Sequence, residues 1–222
     1  MSGPGPTPPS RPLPRLYAIA DAVALGGDAD DPGPLVEAVS RLAGAGVRWI
    51  QVRAKRFPDR LLYEAVERSL ERLAHHPDVA LWVDDRVDVA ACLPVAGVHL
   101  GQRDQPPAAA RSVLGAACWI GLSTHDRAQG LEAQGDPAVD LVAIGPVFGT
   151  RSKEAPDATV GLDGVAEARR LGEKPLVAIG GIDAERAPAV IAAGAEAVAV
   201  IGALGGLADL ERQASHLLAV LR

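Results

Sequence analysis

A short loop at residues 150–153 has the clearest potential for chemistry in this sequence. It reads Thr150, Arg151, Ser152 and Lys153, and it follows an apolar run from Leu141 to Ile144 of the kind that a strand buried on both faces requires. Hydroxyl groups form short hydrogen bonds with phosphate oxygens, while arginine supplies a planar fork and lysine a point charge. The composition indicates a phosphate-binding loop, although a solvated surface loop could have the same composition.

Polar residues and glycines follow several other apolar runs in the same way. They are Gln51, Arg53, Lys55, Asp84, Asp85, Asp104, Ser123, His125 and Gly181. The loops that follow the strands of a parallel barrel open at one face, and that face carries the active site. We therefore expect these side chains to form one site together with the loop at 150–153.

The runs that must position these residues number eight and alternate with helical patterns. The predicted strands are 16–20, 47–52, 79–83, 97–100, 118–122, 141–144, 176–179 and 195–201, and a closing helix is predicted at 207–221. Such alternation predicts an α/β fold with a parallel sheet, here a single-domain (β/α)8 TIM barrel over residues 15–222. A doubly wound sheet is the alternative, but the first strand lacks the glycine-rich turn typical of that fold. Residues 1–14 are rich in proline and glycine and are expected to form a disordered extension.

Asp85 and Asp104 follow two neighbouring predicted strands, so their carboxylates can approach each other. Two hard oxygen ligands with open positions suit Mg²⁺ held between carboxylates and substrate phosphate oxygens. Caps at the starts of two helices are the alternative role for these residues. Beside nearby cations, the pair favours a metal site.

The basic residues and glycines indicate more than one phosphate. Arg53 and Lys55 form a second cationic cluster, away from Lys153, while Gly181 and Gly202 leave bare backbone N–H groups after the last two strands. Barrels often bind phosphate there. The site is therefore expected to take two phosphorylated small molecules, or one with a phosphate at each end.

Composition excludes several other classes. The net charge of −6 argues against nucleic-acid binding, and no apolar run approaches the roughly 20 residues that span a bilayer. Cys92 and Cys118 lack the spacing of a disulfide scaffold or zinc site, so buried reduced thiols are expected. Without an apolar leader, the chain is expected to be cytoplasmic. The sequence leaves a homo-oligomer open.

Six motifs in order resemble the thiamine-phosphate synthase family, over nearly all of the chain. They are Gln51-x-Arg53-x-Lys55, Asp85-Arg86 with Asp88 and Ala90, Gly97-Val-His-Leu-Gly-Gln102-x-Asp104, Gly121-x-Ser-Thr-His125, Gly145-Pro-x-Phe148-x-Thr150-x-Ser152-Lys153, and Ala178-Ile-Gly-Gly-Ile182. The resemblance implies a Mg²⁺-dependent barrel enzyme that joins hydroxymethylpyrimidine diphosphate to hydroxyethylthiazole phosphate and releases diphosphate. A dissociative path is expected, since the aminopyrimidine can carry the positive charge left on its methylene.

The resemblance also implies the roles of individual residues. Asp85 and Asp104 would hold Mg²⁺, and Arg53, Lys55, Ser123 and Lys153 would form the catalytic set. Those four residues, with Gln51 and Asp84, would bind the pyrimidine diphosphate. The thiazole phosphate would be bound by Thr150, Arg151, Ser152, Gly181, Ile201 and Gly202.

Three positions depart from the family pattern, which usually has asparagine at Asp84, glutamate at Arg103 and serine at Gly202. Two alternative functions therefore stay open. One is the related thiazole tautomerase, which uses a histidine on the loop that carries His125. The other is a non-catalytic barrel that binds a phosphorylated ligand, although converging charges that serve no ligand would cost stability.

Overall fold

The computed structural model describes residues 13–27, 30–150 and 157–222. Eight parallel strands pair in chain order, and the first strand also pairs with the eighth, so the sheet closes into a barrel. The strands are β1 (Leu16–Asp21), β2 (Trp49–Arg53), β3 (Ala80–Asp84), β4 (Gly97–Leu100), β5 (Trp119–Thr124), β6 (Leu141–Ile144), β7 (Leu176–Ile179) and β8 (Ala197–Val200). The closed order confirms the (β/α)8 barrel and excludes the doubly wound sheet.

Eight α-helices alternate with the strands in the part of the chain that the structure describes. They are α1 (Gly33–Gly44), α2 (Asp59–Arg72), α3 (Val87–Cys92), α4 (Pro107–Leu114), α5 (Arg127–Gly135), α6 (Gly161–Arg170), α7 (Ala187–Ala192) and α8 (Leu210–Val220). In α2, apolar residues recur at helical spacing and bury Leu62, Ala65 and Val66. Within the described residues, no helix has the length and apolar character needed to cross a bilayer.

Alternation along each strand separates two apolar layers. Residues such as Ala18, Ile50 and Val98 face outward and pack against the helices in one large cluster. Residues such as Tyr17 and Trp82 face inward and form a second cluster, to which Leu13 also belongs. Successive side chains of a strand point to opposite faces. Only every second residue of a strand can therefore reach the barrel interior, and this alternation determines which polar residues do so.

Aromatic rings fill the amino-terminal half of the barrel interior. Tyr17 stacks on Trp49 with a centroid distance of 4.1 Å, and Trp49 lies 5.7 Å from Trp82. Trp82 contacts Trp119 edge-on at 6.4 Å. Each such pair contributes about 0.5–1.5 kcal/mol beyond its buried area. This cluster of four rings, the aromatic plug, forms a floor beneath the carboxyl ends of the strands.

The structure differs from the sequence-based expectations at a few boundaries. Two observed strands begin later than predicted: β2 begins at Trp49 rather than at residue 47, and β8 begins at Ala197 rather than at residue 195. The closing helix begins at Leu210 rather than at residue 207. Cys118 is buried, but Cys92 is exposed, so the expectation of two buried thiols is wrong for Cys92.

Candidate active site

The polar residues predicted from the sequence meet at the carboxyl ends of the strands. Gln51 and Arg53 take inward positions on β2, as do Asp84 at the end of β3 and Ser123 near the end of β5. Lys55 follows β2, Asp85 follows β3, and Asp104 lies in the loop after β4. One rim of the barrel therefore carries a continuous set of charged side chains.

Arg53 is held between two carboxylates. Asp21, at the end of β1, lies opposite Arg53 in the strand register and accepts a hydrogen bond from its Nη1. The other oxygen of Asp21 accepts from the backbone N–H of Ala24 at 2.9 Å. Asp84 Oδ2 lies 3.4 Å from Arg53 Nε. The side chain of Arg53 is only 17% exposed, so these contacts fix the direction of its guanidinium.

Lys55 connects the two neighbouring acids of β3. Its Nζ contacts Asp85 Oδ2 and lies 3.2 Å from Asp84 Oδ2. Burial would lower the pKa of Lys55, but the negative charges of Asp84 and Asp85 outweigh this effect and raise it. Burial raises the pKa of Asp84, while Lys55 and Arg53 act in the opposite direction. Lys55 therefore stays an ammonium among carboxylates.

Asp85 and Asp104 are neighbours at the rim of the barrel. Burial, followed by the charge of Asp84, raises the pKa of Asp85 to about 7, and the contact with Asp104 acts in the same direction. Asp104 is fixed because its Oδ2 accepts from the Gly101 N–H at 2.7 Å. Two carboxylates this close repel each other unless a proton or a cation lies nearby.

The backbone of Asp85 allows two consecutive side chains to reach the same cavity. Asp85 has a φ of 60°, the one positive value outside glycine among the described residues, and aspartate tolerates this region better than most residues. Its N–H donates to the His99 carbonyl at 2.8 Å. In a regular strand Asp85 would point away from Asp84. The left-handed turn instead brings both carboxyl groups to Lys55.

The donor set fits a magnesium ion. Among residues 13–27, 30–150 and 157–222, no group of three or more His, Cys, Asp or Glu side chains is arranged to hold a metal. Magnesium, however, is usually bound by one or two carboxylates together with water and substrate phosphates. The neighbouring carboxylates of Asp85 and Asp104 suit that requirement, and Asp84 is directed to Arg53 and Lys55 instead.

Gln51 and Ser123 lie at different depths. Gln51 is 2% exposed and donates from Nε2 to the Tyr17 hydroxyl at 2.7 Å, so it lies on the aromatic plug. Ser123 is nearer the rim, where its Oγ lies 2.9 Å from His99 Nε2. Gln102 Nε2 donates to the Ser123 carbonyl at 2.7 Å. The serine is therefore held through both its side chain and its backbone.

The loops after β6 and β7 pack closely. Gly181 has a φ of 63°, and a Cβ there would lie 2.4 Å from the Gly149 carbonyl oxygen. Arg186 donates to the Gly181 carbonyl at 2.8 Å, and its guanidinium lies 4.9 Å from the centre of the Phe148 ring. Gly181 is thus required for this close approach, which positions the chain before Thr150. The predicted phosphate-binding residues Arg151, Ser152 and Lys153 lie outside the described residues.

Ile201 and Gly202 follow β8 as predicted, but no α-helix begins at residue 207. A 3₁₀ helix spans Gly202–Leu204, with Ile201 preceding it. A Cβ at Gly202 would contact nothing within 4 Å, so that position opens to solvent. Residues 207–209 instead form a turn, in which the Asp209 N–H donates to the Gly206 carbonyl at 3.0 Å before α8 begins. The backbone at the end of β8 can still approach a ligand.

His125 is held by the surrounding chain. Its Nδ1 lies 2.6 Å from the Gly145 carbonyl oxygen, which can only accept, so Nδ1 carries the proton. Its Nε2 lies 3.5 Å from Asp157 Oδ2. Its backbone N–H donates to Gln129 at 2.8 Å. These contacts anchor the loop after β5 to the end of β6.

Two residues of the site are missed by the sequence analysis. Asp21 reads only as the end of the first strand, and His99 reads as one residue of a strand without chemistry. Both residues could have been found from their position in the sheet, because each faces the barrel interior beside a predicted site residue. Asp21 pairs in register with Arg53, and His99 pairs with Asp84.

Comparison with known proteins agrees with this geometry. A family model described as thiamine monophosphate synthase matches residues 16–204. A thiamine-phosphate synthase of Koribacter versatilis is 43% identical over 209 residues, which cover 94% of this chain and 96% of that protein. One from Syntrophomonas wolfei is 38% identical over 203 residues, or 91% and 93% of the two chains.

A solved structure gives the same result. The thiamine phosphate pyrophosphorylase from Pyrococcus furiosus superposes with a TM-score of 0.81 at 31% identity, and the match covers 94% of this chain and 95% of that one. Both the family model and the relatives extend across the strands that carry the candidate site. The chain belongs to the thiamine monophosphate synthase family.

Proposed function

We propose that this barrel joins hydroxymethylpyrimidine diphosphate to hydroxyethylthiazole phosphate, forming thiamine phosphate and releasing diphosphate. The observation that carries the proposal is the convergence of Arg53 and Lys55 with the close pair Asp85 and Asp104 at one rim of the barrel. A diphosphate needs cations on several sides, and a divalent ion needs hard oxygen ligands. Membership of the thiamine monophosphate synthase family supports this choice of two phosphorylated small molecules.

The leaving diphosphate is the part of the substrate that these cations serve. Negative charge accumulates on it as its bond to the methylene carbon breaks. Arg53 is fixed by Asp21 and Asp84, so its guanidinium needs no reorientation when that charge develops. Lys55, held between two acids, supplies a second positive charge. The thiazole nitrogen then attacks the methylene carbon, and the chemistry requires no protein nucleophile.

Asp85 and Asp104 are the residues that would hold Mg²⁺. A bound magnesium ion would offset charge on the diphosphate oxygens. The two carboxylates are neighbours, and Asp104 is held in place by a hydrogen bond from the Gly101 N–H. Metal binding would also remove the repulsion between the two acids.

The thiazole phosphate is expected on the opposite arc of the rim. Gly181, Ile201 and Gly202 present backbone after β7 and β8, where barrels bind phosphate. Thr150, Arg151 and Ser152 would contribute from the loop after β6, and Lys153 would contact the diphosphate. The pairing of Arg186 with Phe148 and Gly181 supports the backbone on this arc.

The contacts of His125 favour the synthase over the tautomerase. An enzyme that uses this histidine to move protons needs a ring nitrogen directed to the substrate. Here Nδ1 faces the Gly145 carbonyl, and Nε2 faces Asp157. Both contacts hold the ring against the protein. A structural role therefore accounts for His125.

The decisive experiment mixes the purified chain with both phosphorylated substrates and Mg²⁺ and measures thiamine phosphate by liquid chromatography. We expect formation that depends on both substrates and on the metal. If the folded, purified protein formed no thiamine phosphate under these conditions, the synthase function would be refuted. A simpler measurement compares unfolding temperatures, which inorganic diphosphate should raise by more when Mg²⁺ is present, since a ligand that binds only the folded state stabilises it.

A further inference from the structure

His99 is a residue of the rim to which neither the sequence nor the proposed chemistry assigns a role. It lies on β4 at an inward position, directly opposite Gly121 of β5 in the strand register. Its Nε2 lies 2.9 Å from Ser123 Oγ, two residues further along the same face of β5. The imidazole therefore crosses β5 from the level of Gly121 to that of Ser123.

Gly121 provides the space for this arrangement. A Cβ at residue 121 would lie 2.5 Å from His99 Nδ1 and 3.2 Å from its Cε1, well inside van der Waals contact. Any other residue at this position would force the ring to turn. The absence of a side chain at residue 121 thus lets the histidine lie against the backbone and reach Ser123.

Ser123 has little freedom apart from its hydroxyl. Its carbonyl accepts from Gln102 at 2.7 Å, and its backbone lies in β5, paired with Ala143 of β6. The rotamer of the side chain and the direction of the O–H bond are the two remaining degrees of freedom. The contact with His99 fixes both, because a hydroxyl has one proton to donate and two lone pairs that accept.

The direction of that hydrogen bond follows from the ligand. Diphosphate oxygens only accept hydrogen bonds, so a serine that binds them must direct its own proton to them. If Ser123 donated to His99 instead, its lone pairs would face the anion. With Ser123 donating to the diphosphate, His99 is the donor, with its proton on Nε2.

We propose that His99 is a positioning residue, which donates its Nε2–H to Ser123 Oγ and so directs the serine proton to the pyrimidine diphosphate. The inference rests on the proposed function, since the acceptor is that substrate. His99 touches no reacting atom and acts only through Ser123. Its removal should therefore cost nothing once Ser123 is absent.

The test is a double-mutant cycle on the full chain, with kcat and KM measured separately under saturating Mg²⁺. We expect His99→Leu, which keeps bulk but no donor, to lower kcat by about 10- to 100-fold. His99→Gln places an amide N–H near the position of Nε2 and should recover most of that loss. Ser123→Ala should match His99→Leu, and the double variant should be no worse than Ser123→Ala alone.

A second pair of variants tests the same role if His99→Leu does not fold. Gly121→Ala should displace the ring and lower kcat like His99→Leu, while Gly44→Ala, where a Cβ meets nothing within 4 Å, serves as the matched control. If His99→Leu does not fold, Gly121→Ala with and without Ser123→Ala gives the same comparison.

The outcomes separate the two claims. Additive losses in the double variant, or equal losses for His99→Leu and His99→Gln, would overturn the positioning role. So would an unchanged kcat for folded His99→Leu. A wild-type protein that forms no thiamine phosphate would instead overturn the proposed function, and the role of His99 with it.

Discussion

Replacing Asp21 with asparagine tests whether a buried ion pair holds the main cation of the site. Asp21 is 5% exposed and accepts hydrogen bonds from Arg53 and from the Ala24 N–H. Asparagine keeps the shape and one acceptor oxygen but removes the charge. We expect a loss of stability together with weaker binding of the pyrimidine diphosphate, because Arg53 would turn towards Asp84, which is 3.4 Å away.

The magnitude follows from what is lost. A hydrogen bond to a charged group contributes about 1.5–3 kcal/mol to stability and a neutral one about 1 kcal/mol, so Asp21→Asn should cost about 0.5–2 kcal/mol. For a chain of this length, that cost lowers Tm by about 1–8 °C. Asp21→Ala leaves Arg53 and the Ala24 N–H short of a partner and should cost about 3–5 kcal/mol. The KM for the pyrimidine diphosphate should rise about tenfold in the asparagine variant, equivalent to about 1.4 kcal/mol.

Urea unfolding and steady-state kinetics measure the two effects. The matched control is Asp59→Asn, because Asp59 accepts from Arg86 at 2.7 Å while its side chain is 86% exposed. Such surface pairs contribute about 0–1 kcal/mol, and Asp59 lies outside the proposed substrate contacts. If Asp21→Asn and Asp59→Asn had equal stability and equal KM, Asp21 would not be holding Arg53, and the account of the site would be wrong.

Four further substitutions test separate parts of the site. Asp84→Asn removes a negative charge beside both cations, so calorimetry should show inorganic diphosphate binding about tenfold more tightly; weaker binding would mean that Asp84 supports the ligand. Asp104→Asn should abolish Mg²⁺-dependent turnover, and an unchanged turnover would remove the metal assignment. His125→Asn keeps a donor for the Gly145 carbonyl and should retain synthase turnover to within about fivefold, whereas near-complete loss would favour the tautomerase. Lys153→Ala should lower kcat more than affinity for thiazole phosphate, and the reverse pattern would make Lys153 a binding residue.

The fold could be predicted from the sequence because parallel strands buried on both faces leave an unambiguous pattern. Runs such as 141–144 and 176–179 appear in the structure with the same limits. The sequence does not predict the short helices α3 and α4, since six and eight residues give too little periodicity to separate a helix from a loop. It predicts an early start for α8 because Leu207 continues the apolar pattern, whereas residues 207–209 form a turn in the structure.

The positions of the candidate site residues could be predicted in part, because a strand pattern reveals which residues lie at strand ends. Arg53 and Lys55 end a strand, so their place on the rim followed from the fold. The approach of Asp85 to its neighbour depends on a positive φ, which depends on the tertiary contact with the His99 carbonyl. No local pattern encodes that contact. Asp21 and His99 could have been found by asking which residues share the inward parity of Arg53.

The aromatic plug gives the barrel an internal optical reporter. The three tryptophans of the chain lie on β2, β3 and β5, and Trp49 and Trp82 have no exposure to solvent. Their rings are close enough to exchange excitation energy, since neighbouring centroids lie 5.7 and 6.4 Å apart. Emission at tryptophan wavelengths therefore originates inside the closed sheet. Fraying of an outer helix would leave that emission unchanged, whereas separation of the strands would shift it to the red.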